Sequence, residues 1–155
     1  MKIKGKICKN KNIKLFHISE EKHHNRIFRP RIPKSAGVDF GENVTIARIC
    51  FSSSMSGAYR AIYNSKYQGM WSNEYFIHIP ENINDAILNK NVIVPHSDLV
   101  FDQQYTNEYW VREKVKLKCI GKAQFKIAYH HYWGPYRTRV DIKWIEKYYG
   151  KSNKN

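Results

Sequence analysis

Residues 107–120, NEYWVREKVKLKCI, decide how this chain is read. Their alternation of apolar and polar side chains predicts a strand at about 107–112, and VKLKCIGKAQFKIAY supplies one or two more. Glu108 stands inside the aromatic run, flanked by Tyr109 and Trp110. A carboxylate there is either an ordinary surface residue on a half-buried strand or a catalytic group. Its company along the chain has to decide.

Working outward from it, EYFIHIP at 74–80 alternates as a strand ended by Pro80. TIARICF at 45–51 is another, rich in β-branched and aromatic residues, and it runs straight into SSSMSGAYRAIY. There Ser52 to Ser54 predict the cap of a helix over roughly 55–63. IKLFHIS at 13–19 reads as a short strand with Leu15 and His17 on one face and Phe16 and Ile18 on the other. A polar loop, EEKHHNRIFRPRIPKSAG, follows and is stiffened by Pro30 and Pro33. NINDAILN at 82–89 gives one or two helical turns capped by Asn82 or Asn84, and VIVPHSDLVFD at 92–102 a short strand broken at Pro95, then a turn. In TRVDIKWIEKYY, Val140, Trp144 and Tyr148 fall at helical spacing and predict a final helix. The sum is an α+β class with a curved or split sheet and a few short helices, one domain over 1–150 with a disordered tail at 151–155.

Composition sets the bounds. A chain of 155 residues fits one domain with a real core, and 42% hydrophobic with 14% aromatic residues excludes wholesale disorder. No apolar run approaches the roughly 18 residues that span a membrane, so no membrane partner is expected. The start, MKIKGKICKNKNIK, is basic without an apolar core, which predicts no signal peptide and a cytoplasmic location. Three cysteines without CxxC spacing argue for reduced thiols rather than a disulfide framework or zinc site. The net charge of +14 is uneven. Residues 1–34 hold 11 Lys/Arg against 2 acids, residues 35–142 hold 12 against 10, and residues 143–155 hold 4 against 1. Such ends favour phosphate-bearing partners through counterion release, although lysine-rich composition alone also keeps a protein soluble.

Taken singly, the chemistry-bearing motifs have ordinary explanations. His17 and Ser19 share one face of their strand, where a lone His is usually a satisfied structural residue. ICFSSSMSGA joins a strand to a helix whose first N–H groups can hold an anion, or simply be capped. His23-His24 and His130-His131 are adjacent pairs that point apart, read as solvent-exposed and unsuited to a shared metal. YHHYWGPYRTR at 129–139 has the aromatics and arginines of a stacking platform for single-stranded nucleic acid, or of a packed late strand. No GxGxxG, GxxxxGK[ST], GxSxG or HExxH pattern is present.

Their order changes the weighing. LFHIS, then ICFSSSMSGA entering a helix, then NEYWVREKVKLKCI resembles the ADP-ribosyltransferase fold, closest to the diphtheria-toxin-like branch that includes the poly(ADP-ribose) polymerases. With FRPRIP between the first two motifs, the chain also resembles uncharacterised short proteins of low-GC bacteria and their phages. The three motifs cover about a quarter of the chain. The resemblance implies NAD, or a related nucleotide, as substrate and no metal. It implies that His17 hydrogen-bonds a ribose hydroxyl, Ser19 supports the adenosine-side ribose, and Glu108 stabilises the cation that forms as nicotinamide leaves. Arg26, Arg29, Arg31 and Lys34 would face the pyrophosphate, and Cys50, Phe51 and Ser52 would line the cleft. Cys50 stands where the family has an aromatic, usually Tyr, and Ile18 where it has Gly.

The function expected is therefore an NAD-using ADP-ribosyltransferase or NAD-cleaving enzyme, with a host protein or nucleic acid among the possible acceptors. Cys50 and Ile18 motivate an alternative: an inactive binding module of the same fold, phage-encoded and working in a host cytoplasm, that captures a nucleotide or inhibits a host protein. A third expectation is a basic nucleic-acid binder. The RNA 2′-phosphotransferases share the fold and take an anionic substrate, but they use a winged N-terminal lobe with no counterpart in this sequence.

Overall fold

The alternating segments assemble into two antiparallel sheets joined, among the described residues, by isolated bridges at Phe16–Ser52 and Arg31–Arg48. The computed structural model describes residues 5–32, 45–65, 74–95, 106–131 and 134–148. Within them the chain runs β1 (Gly5–Ile7), β2 (His17–Ser19), β3 (Ile27–Phe28), β4 (Ile49–Ser52), α1 (Met55–Ser65) and β5 (Glu74–Pro80). It continues α2 (Ile83–Leu88), β6 (Val92–Pro95), β7 (Glu108–Val111), β8 (Val115–His131) and β9 (Gly134–Lys147). One sheet has the order β1-β6-β7-β4 and the other β2-β5-β8-β3, with β9 on β8. Phe16 and Ser52 join them: Phe16 N–H donates to the Ser52 carbonyl at 2.7 Å and Ser52 N–H to the Phe16 carbonyl at 3.0 Å. The class is α+β, mostly antiparallel sheet with two short helices among the described residues.

Strand alternation sorts the core. On β4 and β7, Ile49, Phe51 and Val111 point to one side and pack with Leu15, Val92 and Leu117. Cys50 and Trp110 point to the other and pack with Ile46 and Ile93. On the second sheet Ile18, Tyr75, Ile77 and Phe125 receive Ala58 and Tyr59 of α1, Tyr59 stacking on Phe125 at 5.1 Å. Each Val, Leu, Ile or Phe side chain fully buried in these clusters contributes about 1.5–3 kcal/mol. The helix begins where the serines predict. Ser54 Oγ accepts the Gly57 N–H at 3.0 Å, an N-cap worth about 1 kcal/mol. At α2 the N-cap position is Asn82, in a left-handed conformation and without a side-chain cap bond.

The predicted final helix is a strand instead. Val140, Ile142 and Trp144 are half-buried while Asp141, Lys143 and Ile145 are exposed, and the segment pairs with β8 along most of its length. Val140, Trp144 and Tyr148 lie four apart, an interval that both periods contain; Ile142 between the first two carries the period of two. The first strand is shorter than 13–19, regular only at 17–19 with the bridge at Phe16, and VKLKCIGKAQFKIAY lies within one long strand. β8 carries a bulge: Ile77 faces Gly121 and His78 faces Cys119, leaving Ile120 extra. Gly121 sits at φ 152°, where a Cβ would meet the Glu146 carbonyl and the Trp144 ring. The turn expected after Pro95, Lys34 and the tail at 151–155 lie outside the described residues.

Candidate functional site

The three motif strands are neighbours. β7 pairs with β4, Glu108 opposite Ser52 and Trp110 opposite Cys50, and Ser52 bridges to Phe16 just ahead of His17. Two clusters of polar side chains form at this junction.

The first surrounds Glu108. Asn107 is left-handed (φ 50°), a conformation Asn tolerates, and turns the chain into β7. Its carbonyl accepts the Ser53 N–H at 3.1 Å and its Nδ2 donates to Ser54 Oγ at 3.1 Å. Ser52 Oγ donates to the Thr106 carbonyl at 2.6 Å. The serines of SSS therefore cap the helix and fasten the turn ahead of Glu108. Gly57 is required here, since a Cβ would meet the Thr106 carbonyl and the Ser52 and Ser54 hydroxyls. Glu108 is only 8% exposed, and its Oε1 accepts the Trp110 Nε1–H at 2.8 Å. The Cys50 thiol donates to Glu108 as well. Burial, and then the charge of Glu108, push that thiol well above the usual range, with Arg48 opposing. Arg48, buried, lies over the Trp110 ring at 4.0 Å and donates to the Ile46 carbonyl at 2.9 Å.

The second cluster surrounds His17. The β2–β5 register sets His78 opposite it, with ring centroids 6.0 Å apart. His23 (6.4 Å), Phe28 (5.4 Å) and Phe51 (6.2 Å) close around the same ring. Hydrogen-bond partners assign the tautomers. His78 Nε2 accepts the His23 main-chain N–H at 2.9 Å, so Nδ1–H donates to the His17 carbonyl at 3.2 Å. Arg26 donates to His23 Nδ1 at 3.1 Å, so His23 Nε2–H donates to Ser19 Oγ at 3.0 Å. That direction leaves His23 unable to draw a proton from Ser19, so the pair is not an activated nucleophile. A ring nitrogen of His17 donates to the Cys50 carbonyl. Burial first, then His78 and His23, lower His17 to about 4, against that bond. Burial likewise lowers His78 to about 4, the His17 carbonyl opposing it and His23 and His24 adding to it. Both rings are neutral at pH 7. Among the described residues no group of three or more His, Cys, Asp or Glu could hold a metal ion.

Cys50 belongs to both clusters, its carbonyl serving His17 and its thiol serving Glu108. Alternation otherwise separates them: Ser52, Cys50, Glu108 and Trp110 share one side, while Phe51 turns to the side of His17. Arg31 pairs its main chain with Arg48 at 3.1 and 2.9 Å, and its charge helps depress His17. Arg29 is exposed, as are the Arg26 and Arg31 side chains. His23 corrects the expectation of a solvent-exposed pair. It is half-buried in the cluster, and His24, though exposed, accepts the Cys119 N–H at 3.2 Å. His78 and Phe28 were not singled out in the sequence, where cross-strand register is invisible, and Trp110 stood there only as a flank of Glu108. The side chains of 129–138, His130 and His131 included, lie outside the described residues.

Compared with protein-family models, curated proteins and solved structures, the chain finds no match. Among the described residues no helix is long and apolar enough to cross a membrane.

Proposed function

We propose that the protein is an ADP-ribosyltransferase-like domain that uses NAD, or a related nucleotide, as its substrate. The observation that carries the reading is the meeting of the motif strands at Cys50, between the imidazole of His17 and the carboxylate of Glu108. Neutral His17 suits a hydrogen bond to a sugar hydroxyl. A carboxylate fixed in a dry setting suits the cation that develops on a ribose as nicotinamide departs. Exposed Arg26, Arg29 and Arg31 suit a pyrophosphate.

One observation favours a second reading, a binding module of the same fold without turnover. Glu108 is nearly buried and already receives Trp110 and Cys50 as donors.

Nicotinamide release from NAD, by the protein and by Glu108→Gln, tests both. Release by the parent alone supports the transferase. No release, with NAD still raising the melting temperature, supports the binding module. No release and no shift overturns both.

A further inference from the structure

Two hydrogen bonds of one kind tie the loop of residues 20–24 to β5 and β8. The main-chain N–H of His23 donates to His78 Nε2 at 2.9 Å, and the main-chain N–H of Cys119 donates to His24 Nδ1 at 3.2 Å. In each the acceptor is an imidazole nitrogen, which accepts only while unprotonated. The two anchors are adjacent, because His78 and Cys119 are register partners across β5 and β8. Just beyond, the chain is tied by amide bonds instead. Asn25 N–H donates to the Leu117 carbonyl at 2.8 Å and Leu117 N–H to the Arg26 carbonyl at 2.9 Å. Carbonyl acceptors keep these bonds when His78 titrates. The fastened segment lays the His23 ring beside His17 and His78.

We propose that residues 20–24 form an acid-released latch over His17, closed while the His78 ring accepts the His23 amide and opened when that ring takes up a proton, with the pairing at Asn25 and Arg26 as its hinge. The proton has one place to go on His78, since Nδ1 already carries a hydrogen: it lands on Nε2, the acceptor of the His23 amide. The surroundings amplify the step. His78 faces His17 from β2, His23 and His24 from the loop, and the Cys119 thiol from β8. His17 also faces Arg31, and His23 faces Arg26 and Glu21. Apart from Glu21 and the thiol these groups are cationic or become so, so a charge on one ring repels its neighbours. The latch stands whether or not the site turns over NAD.

Amide hydrogen exchange, read residue by residue as protection relative to the free chain, tests it between pH 6.5 and about 4, the interval over which burial moves His78. Protection at His23 is expected to be lost as His78 titrates, while Asn25 and Leu117 keep theirs. Loss at all three together, or at none, overturns the proposal. His78→Gln keeps a side chain that can accept the His23 amide without titrating: His23 protection should become flat with pH, and continued loss counts against the latch.

Discussion

Glu108 accepts a 2.8 Å hydrogen bond from the indole N–H of Trp110, two positions along the same side of β7. Trp110 is fully buried and Glu108 nearly so, which leaves water little access to either partner. Trp110→Phe keeps a ring in the space and removes the donor. Stripping a donor from a buried acceptor costs about 1–3 kcal/mol. A lower urea midpoint at unchanged slope is expected, and a variant as stable as the parent would show that Glu108 does not depend on this bond.

Gly57 gives a prediction whose sign runs against helix propensity. In an open helix, Gly→Ala stabilises by about 1 kcal/mol. Here the added methyl group would lie 2.6 Å from Ser52 Oγ and 2.7 Å from Ser54 Oγ, and closer still to the Thr106 carbonyl. Gly57→Ala should therefore lower the melting temperature and disturb the turn that delivers Glu108. A higher melting temperature would show that the turn yields freely.

Tyr75 offers the opposite case. It is fully buried against Tyr59 and Phe125, its hydroxyl has no hydrogen-bond partner among the described residues, and burial first, then Tyr59, push it up to about 12. Tyr75→Phe removes the stranded hydroxyl and keeps the ring. Stability should be unchanged or raised by up to about 1–3 kcal/mol. A clear loss in thermal unfolding would reveal a partner for the hydroxyl.

The histidines set a pH dependence. His17 and His78 titrate near 4 in the folded protein and near 6.5 when exposed, so between those values the unfolded chain binds more protons. Their contribution is fully present above pH 6.5 and is lost as pH falls towards 4, up to about 3 kcal/mol for each ring. Urea midpoints should fall across that window. His78→Gln should flatten the fall, and an equally steep curve in the variant would locate the acid sensitivity elsewhere.

How much of this was legible in the chain depends on which contacts are local. The Glu108 strand, EYFIHIP and the serine-capped helix follow from alternation and capping within a few residues, and the structure has all three. The β9 segment was misread because Val140 and Trp144 satisfy either period and only Ile142 between them decides. His23 and His78 were missed as a pair because they lie 55 residues apart and meet only through pairing of β2 with β5. Glu108 drew notice as a reactive carboxylate in the sequence, but its bond to Trp110 two residues away follows only once both are known to lie buried on one side of a strand.

Cys50 leaves position 50 with two unequal kinds of inheritance. Its carbonyl is present whatever residue occupies the site, so the His17 contact passes unchanged through any substitution that preserves the strand. Its thiol is the residue's own, so the link to Glu108 is rewritten each time the side chain changes. A substitution at position 50 can thus retune the surroundings of the Glu108 carboxylate while the imidazole of His17 keeps its main-chain contact.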